Sequence, residues 1–103
     1  MQAIFEDQET NATSAVYQVG SIASRKAHPG IAGETITVMA AGTFDGATVT
    51  LEAAPRAAGP WLAIPDGAFT AATVQLTALS RRVYLRAVVT SAGASTSLSV
   101  WAG

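Results

Sequence analysis

Histidine, cysteine and clustered carboxylates carry most catalytic and metal-binding chemistry, and this chain has few of them. His28 is the only histidine among 103 residues, and there is no cysteine. The sequence therefore predicts no paired-histidine metal site, no histidine-based triad, no disulfide and no cysteine nucleophile. Because His28 precedes Pro29 and Gly30, we expect it to be a surface residue in a turn.

The carboxylates do not form a pattern that a reaction or a metal ion requires. The seven are scattered along the chain: Glu6, Asp7, Glu9, Glu34, Asp45, Glu52 and Asp66. A calcium site needs several oxygen ligands within one loop, which no segment supplies. Two distant carboxylates could meet as a glycosidase pair, but any protein with as many acids allows that. No phosphate-binding glycine loop or nucleophile elbow is present, so we predict no enzyme, no metal and no cofactor.

The charge distribution excludes a further class of function. Six basic and seven acidic residues give a formal net charge of −1. Nucleic-acid binding needs a concentrated basic face, whereas the adjacent basic pairs are Arg25 with Lys26 and Arg81 with Arg82, and Arg86 lies nearby. The start, MQAIFEDQETNA, lacks the features of a signal peptide, and no run approaches the ~20 apolar residues of a membrane span. We expect synthesis in the cytoplasm and no nucleic-acid or membrane partner.

From Gly33 onward, short segments of alternating apolar and polar residues are separated by turn signals, which is typical of β-strands. In the clearest segment, ATVTLEA at 47–53, Val49 and Leu51 point one way while Thr50 and Glu52 point the other. The predicted strands are 34–41, 46–53, 60–64, 72–79, 82–90 and 95–102. Their spacing predicts one all-β domain, a single small antiparallel β-sandwich that is Ig-like or jelly-roll-like.

Residues 1–32 and residues 33–103 differ in composition and in the regularity of their apolar pattern. Residues 1–32 combine charged and amide side chains with short apolar patches, and we expect an extended N-terminal arm or edge strands there. Residues 33–103 are expected to form the sandwich core. Within it, Asp45-Gly46 predicts a hairpin turn, and Pro65-Asp66-Gly67 predicts a tight turn before the next strand.

The alternation also assigns side chains to the faces of the sheets. The predicted inward residues are small or aliphatic: Ile36, Val38, Val49, Leu51, Val74, Leu76, Val83, Leu85, Ala87, Val89, Leu98 and Val100. Tyr84, Val88 and Trp101 alternate with these residues, so their side chains are predicted to point outward although they are apolar or aromatic. Either loops or the N-terminal segment cover them, or another subunit does. Trp61 is predicted to be a core aromatic; the alternative is an exposed ring that stacks on a sugar.

Three segments of the chain resemble small virion proteins of tailed bacteriophages. They are GTFDGATVTLEAAP at 42–55, GPWLAIPDGAFTA at 59–71 and VYLRAVVTSAGASTSLSVW at 83–101. The likeness covers residues 42–101, and none of it extends into residues 1–41. These motifs are hairpin and core features of a β-sandwich, so they identify a lineage better than a function.

The resemblance implies a capsid decoration or cement protein. Such a protein binds the major capsid protein on the outer surface of the expanded head, stabilises the head and is located on the virion. No catalytic residues are carried over. Similar modules occur in tail tubes, tail tips and fibres, so a tail protein is the alternative. Closed symmetry is common among homo-oligomers, and a homo-oligomer is expected here, with a trimer favoured over other states.

Five apolar residues are candidates for contacts with neighbouring subunits. Ile4 and Phe5 would anchor the N-terminus on a neighbour, and Tyr84, Val88 and Trp101 would form an interface patch. The alternative for the first two is an N-terminal strand that completes this domain's own sheet.

Three arginines are candidates for electrostatic contacts. Arg81, Arg82 and Arg86 could pair with an acidic shell surface, or they could be ordinary solvated side chains. A glycan-binding adhesion module is a further alternative, and it would need Trp61 or Trp101 exposed beside polar side chains. A minimal enzyme is the last alternative, which the single histidine and the absence of cysteine oppose.

Overall fold

The alternating segments form strands that pack as two sheets. The computed structural model describes residues 1–20, 30–31, 35–79 and 83–103, and these form strands and no helix. The strands are β1 (Gln2–Gln8), β2 (Ala12–Thr13), β3 (Tyr17–Val19), β4 (Gly30–Ile31), β5 (Thr35–Thr43), β6 (Thr48–Ala54), β7 (Leu62–Phe69), β8 (Thr73–Ala78), β9 (Tyr84–Thr90) and β10 (Ser97–Ala102). The predicted all-β sandwich is confirmed, and each of the six predicted strands overlaps one of β5 to β10, although the predicted strand 60–64 covers only the start of β7.

The sheets differ in size and regularity. The first sheet has four antiparallel strands in the order β1-β10-β5-β8. The second has the order β4-β3-β9-β6-β7, and β2 also pairs with β9. Its pairs are antiparallel except for the short parallel pair of β3 with β4. Strands of residues 1–20 therefore join both sheets, so this segment supplies strands to the sandwich rather than a free arm.

The core lies between the sheets and follows the predicted alternation on four of the strands, β5, β6, β9 and β10. The side chains of Val38, Val49, Leu51 and Val100 are fully buried, because every second residue of a strand points at the opposite sheet. The buried cluster also holds Tyr17, Phe44 and other apolar residues from both sheets. The prediction for β8 was wrong, because Val74 and Leu76 are exposed. Val83, also predicted to be inward, is half-buried.

The Asp45-Gly46 turn forms, but it does not close a hairpin. The N–H of Ala47 donates to the carbonyl of Phe44 at 2.9 Å, and both central residues have positive φ, 46° and 86°. This is the geometry of a tight two-residue turn. However, it leads from β5 in the first sheet to β6 in the second. The predicted hairpin is therefore wrong, because the turn carries the chain across the sandwich.

The predicted turn at Pro65-Asp66-Gly67 is also wrong, because these residues lie inside β7. Glu52 of β6 pairs with Ala63, and Thr50 pairs with Ala68, so residues 64–67 of β7 lie opposite a single residue of β6. This insertion is a bulge, and Asp66 adopts a positive φ of 58° within it. A Pro-Asp-Gly sequence is compatible with either a turn or a bulge, since both need unusual backbone angles.

Candidate functional site

The predicted interface patch is divided between opposite faces of the sandwich. Tyr84 and Val88 alternate with buried residues of β9, so they point outward from the second sheet. Trp101 alternates with buried residues of β10 and points outward from the first sheet. Because the two sheets pack face to face, their outer faces point in opposite directions. Tyr84, Val88 and Trp101 therefore do not form one patch, and that prediction was wrong.

Ile4 and Phe5 are part of this chain's own core. β1 pairs with β10, and the two side chains are only 8% and 7% exposed. Consecutive residues of a regular strand point to opposite faces, but the register of β1 shifts between Ala3 and Phe5, which allows both side chains to be buried. The structure thus agrees with the alternative of a strand that completes the domain's own sheet. The predicted anchor on a neighbour is corrected, because these side chains are not accessible.

The arginine predictions have different outcomes. Arg81 and Arg82 lie outside the described residues, as does His28. Arg86 is described, and its Nε lies 2.7 Å from Oε1 of Glu52 on the neighbouring strand. Its guanidinium carbon also lies 4.3 Å from the centre of the Trp61 ring.

Trp61 is therefore not the core aromatic that the sequence predicts. The side chain is half-buried and takes no part in the core cluster. A guanidinium over an indole face is an attractive cation–π arrangement. Because Arg86 covers one face of the ring and is itself paired with Glu52, these three residues form a closed set of contacts. We call them the Arg86 cluster. In the cluster, the Arg86 guanidinium contacts both the Glu52 carboxylate and the Trp61 ring.

The outer face of the first sheet has a different character. Four of its side chains are large and apolar: Met39, Val74, Leu76 and Trp101. We call this set the apolar face. Val74 and Leu76 are 61% and 67% exposed, Met39 is 40% exposed, and Trp101 is half-buried. Trp101 pairs with Met39, and Met39 pairs with Val74, so these three side chains form one row across β10, β5 and β8.

The strands that carry the apolar face contain no charged residue. Their sequences are TITVMAAGT in β5, TVQLTA in β8 and SLSVWA in β10. A surface without charges can be buried against another protein without removing ions from water, which is the costly part of docking. Fully burying one valine, leucine or methionine contributes about 1.5–3 kcal/mol. The apolar face is thus suited to docking on a protein surface.

A second apolar surface lies at one end of the second sheet. It is an open depression of about 420 Å³. Its lining includes Leu62, Ile64, Pro65, Leu79 and Val83. Leu62 is 65% exposed, whereas Ile64 and Leu79 pack partly against the core. Among the described residues, those that line the depression are aliphatic residues and prolines.

The sequence could have indicated the apolar face but did not. Val74 and Leu76 alternate with Thr73, Gln75 and Thr77, so one face of β8 is apolar and the other is polar. The alternation alone does not say which of the two faces points to the core. We expected the apolar side to point inward, as it does in β6 and β9. In the structure β8 is the last strand of its sheet, and its inward-facing polar residues are only half-buried.

Within the residues that the structure describes, no group of three or more histidine, cysteine, aspartate or glutamate side chains could hold a metal ion. Nor do those residues include a helix with the length and apolarity that crossing a bilayer demands. No protein-family model, curated protein or solved structure matches this chain.

Proposed function

We propose that this chain is a structural protein of a tailed-phage virion, a capsid decoration protein that binds the outer surface of the expanded head. The observation that carries the proposal is the apolar face, on which Val74, Leu76 and Met39 are exposed on strands that contain no charged residue. Monomeric proteins rarely leave such groups contiguous and uncovered, and those that do use them for contacts. The proposed partner is the major capsid protein, and the proposed location is the capsid surface.

The segments that resemble phage virion proteins support the same proposal from the sequence. They include the cross-over turn at Asp45 and Gly46, the bulged strand β7 and the central strands β9 and β10. These parts set the shape of the sandwich, so the likeness concerns the scaffold. The apolar face is built on that scaffold by β5, β8 and β10.

A decoration protein of this kind acts by linkage. Binding to a surface that exists only on the expanded head lowers the free energy of that state alone. At a free concentration one hundred times the dissociation constant, each bound copy stabilises the state that it binds by about 2.7 kcal/mol. Because copies repeat over the whole shell, weak individual contacts add up to a large total.

The test is co-sedimentation of purified variants with expanded, undecorated heads. Met39→Lys places a charge in the middle of the apolar face, and we expect binding at least about tenfold weaker, since an apolar contact is replaced by a charge that must lose water. Thr90→Lys is the matched control, because Thr90 is exposed at the end of β9 in the second sheet. We expect that variant to bind like the unmodified protein.

Two outcomes would contradict the assigned face or the assigned function. If Thr90→Lys weakened binding while Met39→Lys did not, the docking face would belong to the second sheet. If neither the unmodified protein nor any variant bound heads and the protein instead formed rings or tubes, the alternative of a tail component would replace the decoration role.

A further inference from the structure

The four edges of the two sheets are protected to different degrees. An unprotected edge strand presents unpaired backbone groups that can bind another strand, and proteins block such edges with charges, prolines, bulges or short strands. β1 carries Glu6 and Asp7 and has two register shifts. β7 contains Pro65 and a bulge. The described part of β4 has two residues.

β8 has none of these protective features. Its sequence, TVQLTA, contains no charge, proline or glycine. Its six residues pair with β5 in one uninterrupted register, from Thr73 opposite Ala40 to Ala78 opposite Thr35. No other strand of the described residues pairs with its second edge. Within the part of the chain that the structure describes, β8 is thus a regular, neutral strand with one open side.

The hydrogen bonds of the first sheet show which residues of β8 face that open side. Thr37 of β5 exchanges two backbone bonds with Gly103, each 3.0 Å long, so its N–H and C=O point toward β10. In an antiparallel sheet these directions alternate along a strand, so Ile36 and Val38 direct their backbone groups toward β8. Their partners there are Thr77 and Gln75.

The backbone groups of Gln75 and Thr77 form hydrogen bonds with β5. Since these directions alternate along a strand, the backbone groups of the residues between and beside them point away from β5. The backbone N–H and C=O groups of Val74 and Leu76 therefore point to the open edge. These are the same two residues whose side chains are 61% and 67% exposed. The unpaired backbone groups and the uncovered apolar side chains thus coincide.

We propose that β8 pairs antiparallel with β8 of a second copy of this chain, across a two-fold axis at Gln75. In that register Val74 lies opposite Leu76 of the second copy. By symmetry, Leu76 lies opposite Val74 of the second copy. Each of these pairs exchanges two backbone hydrogen bonds. Apolar side chains meet on the outer face, and Thr73 meets Thr77 of the second copy on the inner face.

Symmetry and charge favour a second copy over an unrelated chain. An isologous interface must be complementary to itself, and a strand with no ionisable side chain brings no like charges together across the axis. The alternation also restricts the register, and an axis at Gln75 opposes Val74 to Leu76 in both symmetric pairs. Opposed residues must lie on the same face, so a shift of one residue would place Gln75 opposite Leu76 and is excluded.

The pairing has a consequence for the proposed function, and this step alone rests on that function. A two-fold axis perpendicular to the sheet keeps both outer faces on the same side. The dimer would therefore display one continuous eight-stranded sheet, with the apolar faces of both copies joined at β8 (four strands from each copy). This arrangement is two-fold, whereas the sequence led us to expect a trimer.

Oxidative cross-linking tests the register directly, because the chain has no cysteine of its own. With Gln75→Cys, the two cysteines would lie opposite each other across the two-fold axis, with their Cβ atoms about 5 Å apart before the side chains adjust, a pairing that a disulfide can span. With Thr77→Cys, on the same face and also half-buried, the two residues would be four positions out of register, about 13 Å apart along the strands. That distance is too great for a disulfide.

Purified protein without phage heads is oxidised and analysed on non-reducing gels, with sedimentation velocity of the unmodified protein alongside. We expect Gln75→Cys to form at least about tenfold more cross-linked dimer than Thr77→Cys, and the unmodified protein to sediment as a dimer at high concentration. Equal cross-linking of the two variants would overturn the proposal. So would an unmodified protein that remains monomeric at high concentration. Since no head is present, this result does not depend on whether the protein binds capsids.

Val74→Pro gives a second, independent measurement. Proline removes an N–H that points to the open edge, so the bonds between β8 and β5 are retained. We expect a folded monomer with an unchanged circular dichroism spectrum. A folded variant that still forms the dimer would also refute edge pairing.

Discussion

At the scale of single residues, Arg86 of β9 contacts both Glu52 of β6 and the Trp61 ring. Arg86→Ala removes both a 2.7 Å ion pair and a cation–π contact between groups that are only about a quarter exposed. We expect the free energy of unfolding to fall by about 1–2 kcal/mol, with a smaller difference at high salt. Urea denaturation measures the change.

Arg56→Ala is the matched control for that prediction. Arg56 is exposed, and its Nε makes only a long contact of 3.4 Å with the carbonyl of Gly59. Its loss should change the free energy of unfolding by less than about 0.5 kcal/mol. If both variants were equally stable, the Arg86 cluster would have no stabilising role.

The burial of the Tyr17 phenol leads to a prediction of how stability depends on pH in the alkaline range. Burial raises the pKa of this phenol above its ordinary value of 10.0. Its hydroxyl donates to the carbonyl of Ala3 at 3.2 Å, which ties β3 to β1. A pKa that is higher in the folded state means that folding favours the protonated form. The stabilisation is therefore complete below pH 10 and is lost as the pH rises through the folded-state pKa.

We expect the free energy of unfolding to decrease above about pH 10, with a slope of at most about 1.4 kcal/mol per pH unit from this group. Tyr17→Phe should lose some stability at neutral pH, because the bond to Ala3 is absent, but should show a flatter alkaline profile. Denaturation between pH 8 and 11.5 compares the two proteins. Parallel profiles would show that Tyr17 does not cause the loss.

At the scale of the strands, the pairing of β5 with β10 depends on a glycine. Gly42 has a φ of 111°, and a Cβ there would collide with the carbonyl oxygen of Ser97 and lie 3.0 Å from the Cα of Leu98. Both obstacles are backbone atoms of β10 and cannot move aside. Gly42→Ala should therefore lower the free energy of unfolding by at least about 3 kcal/mol, through strain and disrupted pairing.

Gly46 provides the comparison, because it also has a positive φ, 86°, but open space around it. The nearest atom to a Cβ at this position is the carbonyl oxygen of Ser91, at 3.8 Å. Gly46→Ala should cost only the backbone strain, about 1–2 kcal/mol. Thermal or urea unfolding of both variants tests this order, and a Gly46→Ala variant less stable than Gly42→Ala would contradict it.

The strands also show what the sequence could and could not predict. β6, β9 and β10 alternate apolar residues with polar or charged ones across a full-width core, so their limits and inward faces were predictable. β8 alternates equally well, but as an edge strand it has little core to cover on its inner side, and its apolar face points outward. The same pattern is compatible with both orientations. The position of a strand in its sheet is set by long-range pairing, which local alternation does not encode.

The sequence of a turn was also compatible with more than one connection between strands. Asp45-Gly46 was correctly predicted to be a turn, because both residues tolerate positive φ. Whether such a turn closes a hairpin or crosses between sheets depends on the partners of the flanking strands. The side chain of Asp45 accepts a bond from the N–H of Ser95 at 2.8 Å, and this contact with the β9–β10 connection holds the crossing turn in place. A partner fifty residues away in sequence gave no local signal.

At the scale of the whole molecule, the two outer faces differ in their chemistry. The second sheet presents the Arg86 cluster, whose charged and aromatic groups bind one another. The first sheet presents the neutral apolar face and the open edge of β8. The second sheet also carries the apolar depression at one end, so the two faces differ mainly in that the first has its exposed apolar side chains on strands without charges. The proposed decoration role and the proposed dimer both use the first sheet, at its face and at its edge.

The most direct test of the decoration role compares the binding of the unmodified protein to expanded and to unexpanded heads. Co-sedimentation would be scored as copies bound per major capsid subunit. We predict saturable binding at a simple stoichiometric ratio to expanded heads, no binding to unexpanded heads, and a rise in the temperature at which expanded heads break open. Equal binding to both forms, or none to either, would contradict the proposed function.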